Sequence, residues 1–139
     1  MNGGVSGATI GHSDIGGYTS IIEEKFGITF LSYTRSQETL QRWIEMNTFS
    51  DPFLRSHPSN IPESQWQIYN DDDTILFFKK FVEIHVKLAD YKMDLMREAE
   101  ELGSPFTRSL MLHFPEDARA RRSNSEFMLG ENILVAPCF

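Results

Sequence analysis

Cysteine is almost absent: Cys138 is alone among 139 residues, so neither an internal disulfide nor a thiolate metal cluster can form. Long apolar runs are missing too, and none approaches the ~20 residues that cross a bilayer. Positive charge is in deficit. A net charge of −7 leaves no basic excess to hold nucleic acid or an anionic membrane surface. There is no internal repeat and no low-complexity tract. Residues 1–17 are glycine-rich and lack a basic stretch followed by an apolar core, so they do not read as a signal peptide. The compartment stays open.

What remains has the composition of a packed globular protein. Apolar residues make up 40% and charged residues 24%, close to globular averages, which argues against disorder. Gly7-Ala8-Thr9-Ile10-Gly11 is short, apolar and β-branched, as a buried strand would be. It enters a turn at Gly16-Gly17. Residues 23–35 read as a loop with a short strand near 28–31. Ser36 is placed to cap a helix over 37–48, with Leu40, Trp43 and Ile44 on one face.

A second apolar segment, Pro52-Phe53-Leu54-Arg55, precedes a proline-containing loop. Asp71, Asp72 and Asp73 then open one long helix. Its apolar residues recur from Ile75 to Met96, and Gly103 and Pro105 stop it. Beyond residue 104 the pattern is β only. A strand is expected over 106–114, then two more, 127–129 and 133–136, joined by Gly130-Glu131-Asn132. Two parallel strands with two helices would leave open sheet edges, so a piece of something larger is expected.

Several fragments are recognisable together. Gly11-His12-Ser13-Asp14-Ile15-Gly16-Gly17-Tyr18 resembles the motif after the seventh barrel strand of glycoside hydrolase family 31. Arg42-Trp43, Phe49-Ser50 and Arg55-Ser56-His57 resemble the helix and eighth strand that follow it. Gly103 to Arg108, Phe127 to Gly130 and Leu134 to Pro137 resemble the entry to that family's proximal β-domain and its first strands. Within the family the sulfoquinovosidase branch is the nearer likeness, through His12-Ser13, Tyr18-Thr19, Asn60-Ile61-Pro62 and Trp66-Gln67. Departures are a longer insertion between Tyr18 and Ser36, Ser109 and Glu126 at variant positions, and no proline within residues 88–91.

The resemblance implies an α/β fold: the C-terminal portion of a (β/α)₈ TIM barrel over residues 1–103, then the first strands of a β-sandwich domain over 104–139. It implies a retaining α-glycosidase, which needs two carboxyl groups roughly 5 Å apart. In that family both are aspartates on earlier strands, so no catalytic residue is expected here. Asp14, Tyr18, Arg55 and His57 are expected to bind sugar. His57 would bond a hydroxyl, Asp14 would accept hydrogen bonds or pair with Arg55, and Tyr18 would help hold a sulfonate. A carbohydrate is the expected partner, with neither nucleic acid nor membrane, and no cofactor.

Two other functions stand beside that one: an α-glucosidase or α-xylosidase of the same family, and a truncated, catalytically dead binding or interaction module. The remaining candidates carry less. His12 and Asp14, two neighbours in a turn, make a poor metal site. Asp71 to Asp73 lack the glycine and later glutamate of a calcium loop. His85 and His113 have no ligand-spaced partners, and Arg119, Arg121 and Arg122 form a solvated cluster.

Overall fold

A computed structural model describes residues 2–138, with side chains from residue 4 onward. A four-residue helix α1 (Asn2–Val5) leads into an extended segment. The strand expected over residues 7–11 is not formed. Gly7 is left-handed at φ +91°, and Thr9 O instead accepts the Phe106 N–H at 2.8 Å. Among the described residues, parallel pairing is confined to a bridge between Ile15 and Ser56. There Ile15 N–H donates to Arg55 O (3.3 Å) and His57 N–H to Ile15 O (3.2 Å).

The expected loop over 23–35 is an antiparallel hairpin, β1 (Ile21–Lys25) with β2 (Ile28–Tyr33). Its two-residue turn places Phe26 and Gly27 at φ +55° and +72°, the primed geometry that suits right-twisted strands. Every strand residue is exposed. With neither face buried, no alternation was imposed on the sequence, and none could be read.

Helix α2 (Gln37–Ser50) runs two residues beyond expectation. Ser36 caps it, its hydroxyl accepting Thr39 N–H at 3.1 Å. Its Leu40 and Ile44 join Ile15 and Phe81 in one core cluster. The single long helix expected after Asp71 is two, α3 (Asp72–Lys87) and α4 (Ala89–Leu102), separated by Leu88 at φ −89°, ψ 0°. The break falls between residues that pack on two different cores. Phe81 of α3 packs on the first, whereas Leu95 of α4 packs on a second with Phe106 and Leu129. Neither proline nor glycine marks Leu88, and the apolar spacing runs through it. Gly103 ends α4 in the left-handed conformation, as expected.

A three-stranded antiparallel sheet follows, β3 (Thr107–Ser109), β4 (Phe127–Leu129) and β5 (Ile133–Val135), in that spatial order. The strand expected over 106–114 stops at Ser109 because Leu110 turns inward into α5 (Leu110–His113) to pack with Ala120 and Met128. The turn at Gly130 is as expected, at φ +57°. A Cβ there would overlap Tyr91 and Leu95 of α4. Tyr91 Oη donates to Leu129 O (2.9 Å), and Arg108 Nη2 donates to Glu98 (2.7 Å), fixing sheet to helix.

Candidate functional site

The turn after Ile15 and the segment after Ser56 lie side by side because the Ile15–Ser56 bridge joins them. Asp14 O accepts Gly17 N–H at 2.7 Å, closing a turn whose Gly16 and Gly17 sit at φ +86° and +81°. Both angles are strained for any residue with a Cβ. Asp14 and Arg55 form an ion pair across the two segments. Of the two roles open to Asp14, pairing with Arg55 is therefore the one observed. The Tyr18 and His57 rings meet edge to face with centroids 6.4 Å apart. Tyr18 O accepts Asn60 N–H at 3.2 Å.

His57 is oriented by its own loop. Its Nδ1 accepts Ser59 N–H at 2.9 Å, which leaves Nε2–H as the donor of the neutral ring. Ser59 is itself left-handed, at φ +82°, a conformation costly for a serine. It is held there by Ser20 Oγ at 2.8 Å and Asn60 Oδ1 at 3.0 Å.

Beneath Asp14 lies a second web. Buried Asp51 accepts Ser13 N–H (3.0 Å) and Asn47 Nδ2–H (2.9 Å) through Oδ2, and Ser50 Oγ–H (2.9 Å) through Oδ1. His12 Nδ1 lies 3.2 Å from the same Oδ2, while its Nε2 is 4.0 Å from Asp14.

Arg35, from the loop between β2 and α2, underlies both segments and is only 6% exposed. It donates to Trp66 O through Nε (2.7 Å), to His57 O (2.8 Å) and Ile15 O (3.4 Å) through Nη1, and to Gln67 Oε1 through Nη2 (3.0 Å). All four acceptors are neutral. Burial pulls its pKa below the ordinary arginine value, opposed by Tyr69. Reading the sequence missed this residue. Its partners lie 20 to 32 positions away, and no local pattern points to them.

Together these residues floor a cleft of about 720 Å³ lined by His12, Asp14, Gly16, Tyr18, Arg35 and Trp43, among others. Asp14 and Tyr18 face the cleft directly; Arg55 and His57 adjoin it through their contacts with those two. Another buried cation, Lys92, does not line it. Lys92 Nζ donates to Thr48 O (2.7 Å) and Asp51 O (2.8 Å) and lies 2.9 Å from His85 Nδ1. Burial, opposed by Asp51, pushes it down to about 8. Burial and then Lys92 lower His85 as well.

The model of the "Glycosyl hydrolases family 31 TIM-barrel domain" matches residues 1–95, and that of the "Glycosyl hydrolase family 31 C-terminal domain" matches residues 103–139. The chain belongs to glycoside hydrolase family 31. Among family 31 relatives it is 35% identical to a sulfoquinovosidase of Escherichia coli over 133 residues, 96% of this chain and 18% of that one. It is likewise 35% identical to a sulfoquinovosidase of Agrobacterium fabrum, covering 99% of this chain and 19% of the relative. A sulfoquinovosidase from E. rectale, solved with an aza-sugar inhibitor, superimposes with a TM-score of 0.88 at 36% identity, over 99% of this chain and 19% of that one. The chain thus spans about a fifth of the length of these relatives, 18–19%. Family 31 membership carries the expected fold class: α2 to α4 and the Ile15–Ser56 bridge fall in or begin within the TIM-barrel match, and β3 to β5 in the C-terminal match.

Proposed function

We propose that this chain supplies one wall of the sugar site of a retaining family 31 α-glycosidase acting on sulfoquinovose-type glycosides. The observation that carries the proposal is the junction of two distant segments: the Asp14–Arg55 pair and the Tyr18–His57 contact stand side by side at the ends of the Ile15–Ser56 bridge. Barrel enzymes assemble their sites from such neighbouring strand ends. In this reading His57 Nε2–H donates to a sugar hydroxyl and the Asp14–Arg55 pair binds further hydroxyls. The Tyr18 phenol, 65% exposed, donates to the sulfonate, which a phenylalanine could not do. In this reading the nucleophile and the acid/base are aspartates supplied from outside these 139 residues. The barrel portion ends at residue 103 and the β-domain begins at 104.

Identity favours the sulfonated sugar over glucose: the sulfoquinovosidases are 35% identical, whereas α-glucosidases of the family are 27–31% identical. A family 31 α-xylosidase from a soil metagenome superimposes less well, with a TM-score of 0.75 at 27% identity, over 99% of this chain and 22% of that one. Tyr18→Phe, made in the complete polypeptide, tests the assignment through kcat/KM for a sulfoquinovoside against the matching glucoside. The substitution is expected to lower that ratio by about tenfold, the worth of one hydrogen bond to a charged group. An unchanged ratio would remove Tyr18 from sulfonate recognition and return the reading to an α-glucosidase or α-xylosidase.

A further inference from the structure

We propose that Arg35 is a specificity-determining residue of the cleft: its buried guanidinium, neutralised by no carboxylate, biases the cleft toward sugars that carry an anionic substituent. The inference rests on the reading of the cleft as a sugar site and adds to it a residue and a physical cause.

The charges at the cleft are few. Of the residues that line it, His12, Asp14, Tyr18, Tyr33 and Arg35 are titratable. Asp14 is held by Arg55, so that pair is close to neutral. The Arg35 acceptors are three backbone carbonyls and one amide, and among the described residues no carboxylate lies within ion-pair distance of it. Outside the cleft, Tyr69 is the titratable group that acts on it. Arg35 is therefore a positive charge without an ion-pair partner at the floor of the cleft, and the Asp51 carboxylate, 3.2 Å from His12 Nδ1 behind Ser13, is the further charge beside the cleft.

A cation in that position is costly unless something repays its desolvation. Gly16 keeps it close to the cleft, because a Cβ at that position would overlap the guanidinium. The N–H groups named above are spent on protein oxygens. Arg35 therefore acts mainly through its field, which weakens little across a poorly solvated floor, rather than by gripping the ligand. Neutral and anionic sugars present the same hydroxyls to Asp14 and His57, but only the anionic one feels this field. Arg35 is thus separate in role from Tyr18, which would donate directly.

The test uses the isotope-labelled complete polypeptide, titrated with sulfoquinovose and with glucose while the amide signals of Gly16, Gly17 and Tyr18 are followed. The wild-type protein is expected to bind sulfoquinovose about a hundredfold more tightly than glucose, about tenfold from the Tyr18 hydrogen bond and about tenfold from one partly screened charge at such a range. Arg35→Lys keeps the charge and is expected to stay within about threefold of that preference; Arg35→Gln is expected to lower it about tenfold, leaving the share that Tyr18 supplies. Because either variant can lose the carbonyl contacts that hold the two segments, the wild-type Arg35 Nε–H signal gives an independent reading. It should move with sulfoquinovose and stay in place with glucose. A folded Arg35→Gln that keeps the preference, a lysine variant as unselective as the glutamine one, or an Arg35 signal indifferent to sulfoquinovose would each overturn the proposal. A wild-type chain that binds neither sugar, or both equally, would instead strike the sulfonated-sugar reading itself, and this inference with it.

Discussion

Gly16 and Arg35 interlock: the guanidinium Nη1 and Cδ of Arg35 occupy the space that a Cβ on Gly16 would need. Gly16 is also left-handed, at φ +86°. Gly16→Ala therefore meets two obstacles, backbone strain and a clash with a side chain whose far end is fixed by carbonyls. Gly7 meets only the first, since at φ +91° it has open space around it. Gly16→Ala is expected to cost about 2–4 kcal/mol and Gly7→Ala about 1 kcal/mol, measured by denaturant unfolding. Equal costs would mean that Arg35 yields easily.

How much of this was legible varied with how local its cause was. The Ser36 cap, the acidic start of α3 at Asp71–Asp73, the Gly103 stop and the Gly130 turn are decided within four or five residues, and all were readable. The exposed β1–β2 hairpin was not, because no buried face patterned it. The break at Leu88 was hidden because it serves two separate cores rather than any local preference. At the site, Asp14, Tyr18, Arg55 and His57 could be singled out through their motifs, although their sugar-binding roles are proposed. Arg35 and Asp51 were missed because their partners are distant in sequence and close only in the fold.

The Phe26-Gly27 turn offers a gain rather than a loss. Phe26 is left-handed at φ +55° and 91% exposed, so its ring contributes little to the fold of the described residues. Asparagine tolerates that conformation far better. Phe26→Asn is expected to stabilise the chain by about 0.5–1 kcal/mol in the same assay. A loss of stability would show that the ring is held by something the hairpin contacts.

Asp51 gathers donors from Ser13, Asn47 and Ser50 beneath the Asp14 turn. Removing its carboxylate takes an acceptor from all three, and Asn47 keeps Ser13 Oγ as its other partner. Asp51→Ala is expected to cost about 2–4 kcal/mol, with Asp51→Asn recovering part of it. Thermal unfolding of the two variants checks this, and an alanine variant as stable as the asparagine one would contradict it.

Lys92 makes stability depend on pH. Its folded pKa of about 8 lies below the ordinary value of 10.5. Between those values the unfolded chain holds the proton more tightly than the folded one, so the Lys92 contribution rises with pH across that window. The total rise is about 3 kcal/mol at most. His85, also lowered, adds a rise of the same sign below its ordinary value of 6.5. Unfolding free energies measured from pH 7.5 to 10.5 should climb more steeply for wild type than for Lys92→Met. Parallel curves would mean that Lys92 remains protonated in the fold.

The most direct test of the central claim is hydrolysis by the complete polypeptide of a sulfoquinovoside and the matching α-glucoside, with the anomer first released followed by NMR. Preference for the sulfonated substrate and initial release of the α-anomer, the outcome of two successive displacements, are expected. Preference for the glucoside would contradict the substrate assignment, and initial release of the β-anomer would contradict the retaining mechanism.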